Sequence, residues 1–345
     1  MKIIVDAMGG DHAPDEIVKG ALDAARELEV DITLVGRGEE ILRVLDRLGI
    51  KELPRGMEIA NATEIILAED DPATAIRLKK DSSLTVALGI LSNGRGDALV
   101  SAGSTGAILS GATLMVKRVR GIRRAALAPI IPNSAGGFVL VDCGANTECT
   151  PEYLLQFAFM GSFYAEDSLK VSKPRIGLLN NGTERTKGTP LQLETYKLLE
   201  KAREEGSLNF IGNVEAKEAM SGACDVLVSD GYTGNVLLKS LEGMAILMVT
   251  ELKNLYTRNL ITKLSALLIK KNFTGLKAKM NPDTYGGTAL LGISKPVIKA
   301  HGSSNALAIK NAIRQAVNAV GTDIASRLQE NISSMKVEET GVQEE

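Results

Sequence analysis

Residues 178–188 read L-L-N-N-G-T-E-R-T-K-G and join an apolar run to a polar loop that contains glycine. The apolar run at 175–179 predicts a strand, and the pattern that follows Pro190 predicts a helix. In open α/β sheets, ligands bind just past the carboxyl ends of strands, where loop amides and a helix N-terminus face an anion. Lys187 would add a positive charge there, although an ordinary connection with a solvated lysine has the same local pattern.

Strand signals alternate with helical periodicity along the rest of the chain. Apolar or β-branched runs predict strands at 3–5, 32–35, 98–101, 126–131, 138–141, 176–179, 210–212 and 226–229. Helical periodicity predicts helices at 15–28, 39–48, 82–91, 151–165, 191–204 and 236–256, and a further helix that follows residue 107 and runs to 119. This alternation favours an α/β fold, with a mainly parallel sheet covered by helices on both faces.

Several of these strands end in turns rich in glycine and small polar residues. The turns are D-A-M-G-G-D at 6–11, A-G-S-T-G-A at 102–107, D-C-G-A-N at 142–146 and S-D-G-Y-T-G-N at 229–235; Y-G-G-T at 285–288 and H-G-S-S-N at 301–305 come later. One such turn is weak evidence, because glycine is common in plain turns. Their recurrence at strand ends predicts an anion site. A nucleotide is not indicated, since the chain has neither a Walker A sequence nor a G-x-G-x-x-G after a strand.

The composition narrows the class of protein. The 345 residues carry a net charge of −2, which gives no broad attraction for nucleic acid. With two histidines, His12 and His301, and no tryptophan, His-rich metal sites and base-stacking platforms are not expected. Cys143, Cys149 and Cys224 form no C-x-x-C pair, so neither a disulfide framework nor a zinc site is expected.

No apolar window approaches the about 20 residues that span a bilayer, and the short apolar N-terminus does not have the pattern of a secretory signal. We expect a cytoplasmic protein that uses no metal and no cofactor.

Two basic segments admit more than one interpretation. The first, V-K-R-V-R-G-I-R-R at 116–124, places cations at a predicted helix end, where they suit the helix dipole or dock an acidic partner. Its cations are Lys117, Arg118, Arg120, Arg123 and Arg124.

The second basic segment is amphipathic and follows the long predicted helix at 236–256. It can lie in a lipid interface, or it can pack on a dimer partner or on the core. Its apolar face consists of Leu260, Ile261, Leu264, Leu267 and Leu268. We therefore expect a single domain over 1–330 with a helical protrusion at about 240–282. Residues 331–345 lack periodicity and predict a mobile acidic tail.

Taken together, the motifs resemble the PlsX family, the phosphate acyltransferases of bacterial phospholipid synthesis. The motifs at 6–14, 101–107, 142–146, 178–188, 230–235, 285–288 and 299–305 stand in the family's order, from residue 1 to about residue 330. The resemblance implies a homodimer with a three-layer α/β/α fold similar to phosphotransacetylases and isopropylmalate dehydrogenases, and peripheral contact with an anionic membrane. It also implies transfer of a fatty acyl group from acyl carrier protein to inorganic phosphate. Ser104 and Asn305 depart from the family pattern, which has asparagine and aspartate there.

The resemblance also indicates which residues would act. The family's T-E-x-x-K-G lysine and D-G-x-T-G-N asparagine are associated with catalysis, and they match Lys187 and Asn235. We expect Lys187 to neutralise phosphate and Asn235 to contact phosphate or the developing oxyanion. His301 can donate a hydrogen bond to phosphate or to the departing sulfur, or it can be structural. The other predicted phosphate and substrate contacts are Gly103, Ser104, Thr105, Asn146, Asn181, Gly182, Thr183, Asp230, Gly231, Thr233 and Gly234.

Attack of phosphate on a thioester asks little of proton transfer, because phosphate is largely ionised at neutral pH and a thiolate leaves without strong protonation. Alignment of the reactants can contribute about 7–11 kcal/mol and one oxyanion donor about 2.7–4 kcal/mol. Direct attack needs no acyl-enzyme, so Cys143 is not expected to be a nucleophile. Three alternatives stay open: acyl transfer between coenzyme A and phosphate, an NAD-dependent decarboxylating dehydrogenase of similar fold, and a non-enzymatic membrane scaffold.

Overall fold

The structure, a computed structural model, describes residues 1–259, 262 and 286–337. Its chain groups into two units. The first unit comprises Met1–Val116, Thr233–Ala289 and Lys295–Val320, and the second comprises Lys117–Tyr232, Leu290–Ser294 and Gly321–Glu345. The single domain over 1–330 stays a prediction.

Strands and helices alternate through the first part of the chain. In order they are β1 (Lys2–Asp6), α1 (Asp15–Leu28), β2 (Asp31–Gly36), α2 (Gly38–Arg47), β3 (Met57–Asn61), α3 (Pro72–Leu78), α4 (Ser83–Ser92), β4 (Ala98–Ser101) and α5 (Thr105–Gly111), which continues as a π-helical turn, Ala112–Val116. Side-chain caps explain two of the helix starts. Asp71 accepts the Thr74 N–H at 2.9 Å before α3, and Ser82 accepts the Thr85 N–H at 3.2 Å before α4.

The second part of the chain continues this alternation. The elements are β5 (Ala126–Ala128), β6 (Ile130–Ile131), β7 (Phe138–Val141), α6 (Pro151–Ser168), β8 (Ile176–Leu179), α7 (Pro190–Glu204), β9 (Phe210–Val214), α8 (Ala216–Met220), β10 (Val226–Val228), α9 (Gly231–Thr257), β11 (Thr288–Leu291), β12 (Val297–Lys299), α10 (Ala306–Val320) and α11 (Ile324–Glu330), followed by a short 3-10 helix, Ile332–Met335.

The strands form two sheets, and both are mainly parallel. One has seven strands in the order β3-β2-β1-β4-β12-β11-β5, and the other has five in the order β6-β7-β10-β8-β9. Strand β11 pairs with β12 in the antiparallel direction, and so does β6 with β7. Every residue of β4, β7 and β8 is buried. Because neighbouring residues of a strand point to opposite faces, both faces of these strands are covered. The expected α/β fold with a parallel-dominated sheet is confirmed.

Packing within each unit explains this burial. In the first unit α1 packs against α10, and α4 packs against β1, β2 and β4. In the second unit α6 packs against β7 and β10, and α7 packs against β9. The core is dominated by aliphatic side chains, and the largest buried ones include Phe138, Phe157, Phe159 and Phe210.

Most predicted boundaries agree with the structure to within a few residues, but several elements differ. The strand predicted at 126–131 is divided into β5 and β6 at Pro129, whose nitrogen carries no hydrogen for a sheet ladder. The helix predicted to run to 119 ends at Val116. Strands β3, β11 and β12 were not predicted. Ile332–Met335, assigned to the tail, forms a 3-10 helix whose Met335 is buried.

No helix in the described part of the chain is long and apolar enough to cross a membrane. The apolar helix predicted at 236–256 is part of α9, which runs from Gly231 to Thr257. The predicted lipid-facing residues Leu260, Ile261, Leu264, Leu267 and Leu268 lie outside the described residues, as do residues 338–345.

Candidate active site

Three parallel strands of the second unit bring three of the predicted turns to one sheet edge. Val228 of β10 is in register with Val141 of β7 and with Leu178 of β8. The segments that follow these strands are 142–146, 229–231 and 180–188. Because the carboxyl ends of parallel strands meet at one edge, these segments form the candidate site of this unit.

Asp142 organises the turn that follows β7. Its Oδ1 accepts N–H groups of Leu127 at 2.9 Å and Cys143 at 2.7 Å, and its Oδ2 accepts the Asn146 N–H at 2.7 Å and the Asn146 side-chain amide at 3.0 Å. The Ala145 N–H adds bonds of 3.2 and 3.1 Å to the two oxygens. Burial raises the pKa of the Asp142 carboxyl, while these donors oppose that shift. The carboxylate therefore gathers the turn's amides and fixes its shape.

The next turn is held against the first through Gly231. Its N–H donates to Asn146 O at 2.7 Å. A Cβ at Gly231 would lie 2.5 Å from Asn146 O and 2.8 Å from Asp142 Oδ2, so the close approach requires glycine. Asp230 beside it is buried. Helix α9 starts at Gly231, and Thr233, Gly234 and the exposed Asn235 follow in its first turns.

The loop after β8 presents Lys187. Asn181, Thr183 and Lys187 are exposed, and the Lys187 side chain passes over Gly182, where an added Cβ would lie 3.0 Å from Lys187 Cγ. Among the residues that the structure describes, no carboxylate pairs with the Lys187 ammonium. Helix α7 begins two residues after Gly188, and Gln192 Oε1 accepts the Thr189 N–H at 3.1 Å. An exposed cation without a carboxylate partner among the described residues thus lies on a loop at the sheet edge that forms the candidate site.

The first unit has a comparable edge after β1, β4 and β12, which are also parallel. Ser101 Oγ donates to Asp6 Oδ2 at 2.7 Å, and the Gly103 N–H donates to Ser101 Oγ at 3.1 Å. A Cβ at Gly9 would lie 2.7 Å from Gly103 N. Burial raises the pKa of the Asp6 carboxyl, although hydrogen bonds from Ser83 and Ser101 oppose the shift. Asp6 therefore joins the turn at 6–11 to the turn that carries Gly103, Ser104 and Thr105.

His301 lies in the turn that follows β12, the third strand of this edge. Its Nδ1 accepts the Ser303 N–H at 3.3 Å and lies 2.9 Å from Ser303 Oγ. An accepting Nδ1 places the ring proton of neutral His301 on Nε2, which is then a donor. Burial lowers the pKa of His301, and Lys299 and Lys239 lower it further. The neutral ring can donate one hydrogen bond but carries no charge at neutral pH.

The predicted site residues therefore fall into two groups. Asn146, Asp230 and Gly231 lie together in the second unit, with Asn181, Gly182, Thr183 and Lys187 on the same sheet edge. Gly103, Ser104, Thr105 and His301 lie on the edge of the first unit. Lys187 belongs to the second unit and Asn235 to the first. Their meeting in one cavity stays a prediction.

The basic segment at 117–124 follows the π-helical turn and is exposed at all five cations, Lys117, Arg118, Arg120, Arg123 and Arg124. Buried Gln156 fixes its shape, since it accepts the Arg123 N–H at 2.8 Å and donates to Gly121 O at 3.2 Å. Arg123 pairs with Glu152 at 3.1 Å, beside a cavity of about 390 Å³ in the second unit.

The thiols are poor candidates for nucleophiles. Burial raises the pKa of Cys149 to about 12 and that of Cys224 to about 12, so both stay protonated at neutral pH. Cys143 is buried.

Sequence reasoning did not single out Asp6, Ser101, Asp142, Asn180 or Asn213 as site residues. The two aspartates were inside quoted motifs, and a carboxylate directly after a buried strand was the available signal. The contact of Asn213 with the Lys187 loop left no sequence signal, because it depends on how β9 aligns with β8.

Comparison with known proteins shows the family and the fold of this chain. The family model described as "Fatty acid synthesis protein" matches residues 1–327. A phosphate acyltransferase from Thermoanaerobacter pseudethanolicus is 46% identical over 336 residues, which cover 97% of this chain and 98% of the relative. In fold, the chain is similar to a phosphotransacetylase from Streptococcus pyogenes, with a TM-score of 0.62, 16% identity and 94% of each chain covered. It is also similar to a branched-chain phosphotransacylase from Enterococcus faecalis, with a TM-score of 0.59, 15% identity, and 93% of this chain and 99% of that chain covered. The chain therefore belongs to the fatty acid synthesis protein family, the family of the phosphate acyltransferases.

Proposed function

We propose that this acyltransferase moves a fatty acyl group from acyl carrier protein to inorganic phosphate and so supplies acyl phosphate for phospholipid synthesis. A phosphate oxygen attacks the thioester carbonyl carbon. The new C–O bond forms, the C–S bond breaks, and the thiolate leaves and takes a proton from solvent. The products are acyl phosphate and the free thiol of the carrier.

The observation that carries this proposal is the unpaired, exposed ammonium of Lys187 at a sheet edge built from polar glycine turns. A cation that no carboxylate neutralises among the described residues is available to an anionic substrate. Phosphate is a small anion that suits this loop, because the exposed polar side chains of Asn181 and Thr183 can donate to it beside the Lys187 ammonium. Asn235, exposed in the first turns of α9, would donate to phosphate or to the thioester oxygen as charge develops there.

The high thiol pKa values agree with direct attack. An acyl-enzyme on a cysteine would need a thiolate, and Cys149 and Cys224 are held protonated. Phosphate itself is the nucleophile in this proposal, so holding the two reactants in line supplies most of the rate enhancement.

The exposed basic segment at 117–124 would dock the carrier protein. Its cations face solvent, and a carrier of acidic surface would be attracted to them over about a Debye length. Arg118 and Arg120 would contribute most, because Arg123 is already paired with Glu152.

Helix α9 would form part of a homodimer interface. Its exposed apolar side chains include Met244, Leu247, Met248 and Leu255, which share one face at helical spacing. A matching face on a second copy would bury them. Peripheral contact with an anionic membrane through residues 260–268 is the further part of the proposal that the amphipathic pattern supports.

The direct test compares acyl donors. Purified full-length protein is incubated with inorganic phosphate and either a long-chain acyl carrier protein thioester or the matching coenzyme A thioester, and acyl phosphate is trapped as its hydroxamate. The proposal predicts acyl phosphate and free thiol in equal amounts, with the larger kcat/KM for the carrier protein. A larger kcat/KM for the coenzyme A thioester would favour the phosphotransacetylase-like alternative, which the fold likeness also allows. No acyl phosphate from either donor would refute the proposal.

A further inference from the structure

The carbonyl of Glu184 joins the loop that carries Lys187 to the neighbouring strand. It accepts the Lys187 N–H at 3.1 Å and the side-chain amide of Asn213 at 2.8 Å. One oxygen thus closes the turn that presents Lys187 and anchors that turn to β9. The bond from Asn213 is the one that comes from outside the loop.

Asn180 bonds to the backbone carbonyl of Lys187. Its Nδ2 donates to Lys187 O at 3.0 Å, and its Oδ1 accepts the Asn181 N–H at 2.8 Å. The loop leaves Lys187 through Gly188, whose φ is +99° and where a Cβ would lie 2.9 Å from Asn180 Oδ1. The C=O of Lys187 is therefore bonded to Asn180, directly after β8, and its N–H is bonded to the Glu184 carbonyl that Asn213 anchors to β9.

The position of Asn213 in the sheet suits it to serve as the anchor. It lies in β9 in register with Leu178 of β8 and is 6% exposed. The Asn180 N–H also donates to Val214 O at 3.1 Å, which fixes β9 beside the start of the loop.

The amide oxygen of Asn213 indicates that core packing alone does not explain an asparagine at this position. Within the part of the chain that the structure describes, its Oδ1 is buried and has no hydrogen-bond partner. Burying an amide oxygen without a partner lowers stability, so an apolar side chain of similar size would serve the core better. The amide nitrogen, which reaches the Lys187 turn, is the group that asparagine adds.

We infer that Asn213 and Asn180 are positioning residues that fix the backbone of Lys187 and so set where its ammonium stands. The inference rests on the proposed function, in which that ammonium meets phosphate. Displacing a reacting group by about 1 Å can lower a rate by about 100-fold. Loss of either anchor should therefore reduce turnover without removing the charge.

The variants are Asn213→Leu and Asn180→Ala, with Asn209→Leu as the matched control. Asn209 also donates its side-chain amide to a backbone carbonyl, that of Lys173 at 2.9 Å, but it precedes β9 at the end away from the Lys187 loop. None of these substitutions adds a charge near phosphate. Measurements are kcat, KM for inorganic phosphate and Tm, with each substitution also placed in a Lys187→Ala background.

We expect Asn213→Leu and Asn180→Ala to lower kcat by about 10- to 100-fold while Tm stays close to that of the wild type. In the Lys187→Ala background the same substitutions should cause no further loss, because they act through Lys187. Asn209→Leu should keep kcat in either background.

If Asn213→Leu and Asn180→Ala both keep the kcat of the wild type, the inference is overturned. The proposed function would still hold in that case, provided that the unmodified protein forms acyl phosphate. Losses that multiply with that of Lys187→Ala would also overturn it, since they would show an effect independent of the lysine. If Asn213→Leu does not fold, the half-buried Asn180→Ala decides the question alone. A wild type that forms no acyl phosphate would instead refute the proposed function, and the inference with it.

Discussion

At the scale of single residues, the Lys187 ammonium is the group whose charge the proposed chemistry requires. It is exposed, and no carboxylate among the described residues neutralises it. Replacing it with alanine should lower kcat by about 100- to 1,000-fold, the effect of losing one preorganised group that stabilises charge. Steady-state assays with saturating acyl donor and phosphate measure the loss.

Lys201→Ala is the matched control for this prediction. Lys201 is an exposed lysine near the far end of α7 and should be replaceable without loss of turnover. Both variants should keep the wild-type Tm, because neither lysine is buried. Near-normal kcat in Lys187→Ala would remove Lys187 from the chemistry.

Residues such as Asp142 and Asn213 show what sequence can and cannot reveal at this scale. Lys187 was singled out because a lysine in a glycine loop after an apolar run has a recognisable pattern, and its role stays a prediction. Asp142 stood in a visible motif, yet its importance comes from the N–H groups of Leu127, Cys143 and Asn146, which only folding brings together. Asn213 had no pattern at all.

At the scale of elements, strands buried on both faces were the easiest to predict. The strands β4, β7 and β8 are continuous apolar runs, and their predicted bounds agree with the structure. The strand β3 was missed because M-E-I-A-N is only partly buried and alternates poorly. The strand β12, V-I-K, is too short to give a periodic signal.

An ion pair links the starts of β8 and β10. Asp225 accepts from Arg175 Nε at 3.0 Å and Nη2 at 2.9 Å, and from the Arg175 N–H at 2.8 Å. Although burial alone would raise it, these bonds leave the pKa of the Asp225 carboxyl below its ordinary value. The pair therefore stabilises the folded state above about pH 4, and this contribution is lost as the pH falls through the folded-state pKa.

Asp225→Asn tests this pH dependence. It should lower the free energy of unfolding by about 1 kcal/mol at pH 7, a modest amount because Arg175 is half exposed. The difference between variant and wild type should shrink towards about pH 3. Urea unfolding at both pH values measures it, and a difference that grows on acidification would contradict the assignment.

The basic segment at 117–124 carries the prediction about the carrier protein. Charge reversal in the double variant Arg118→Glu, Arg120→Glu should raise the KM for the acyl carrier protein roughly ten-fold and leave kcat unchanged, because docking and not chemistry is weakened. The effect should fade at high salt. Lys197→Glu with Lys201→Glu on α7 is the control of equal charge change. An unchanged KM for the acyl carrier protein would show that the segment does not dock it and that its role is structural.

At the scale of the whole molecule, the apolar face of α9 predicts self-association. The exposed fractions of Leu247 and Met248 are 53% and 48%. Leu247→Glu with Met248→Glu should convert the proposed dimer to a monomer, because two buried carboxylates would oppose each other across the interface. Sedimentation equilibrium measures the change. Lys253→Glu, on the opposite face of the helix, is the control, and a wild type that sediments as a monomer would refute the interface.

The two units each bring glycine turns and a buried strand-end aspartate to the carboxyl edge of a parallel sheet. Asp6 performs this task in the first unit and Asp142 in the second. The alternation of strands and helices predicted the class of fold, and the family comparison confirms it. The grouping into two units was not predicted, because it depends on contacts between segments that are distant in sequence.

The most direct test is a crystal structure of the full-length protein soaked with inorganic phosphate. We predict a phosphate with an oxygen about 2.7–3.2 Å from Lys187 Nζ and further bonds from Asn235 and from polar side chains of the Lys187 loop. A phosphate bound elsewhere, with Lys187 directed into bulk solvent and remote from Asn235, would contradict the account.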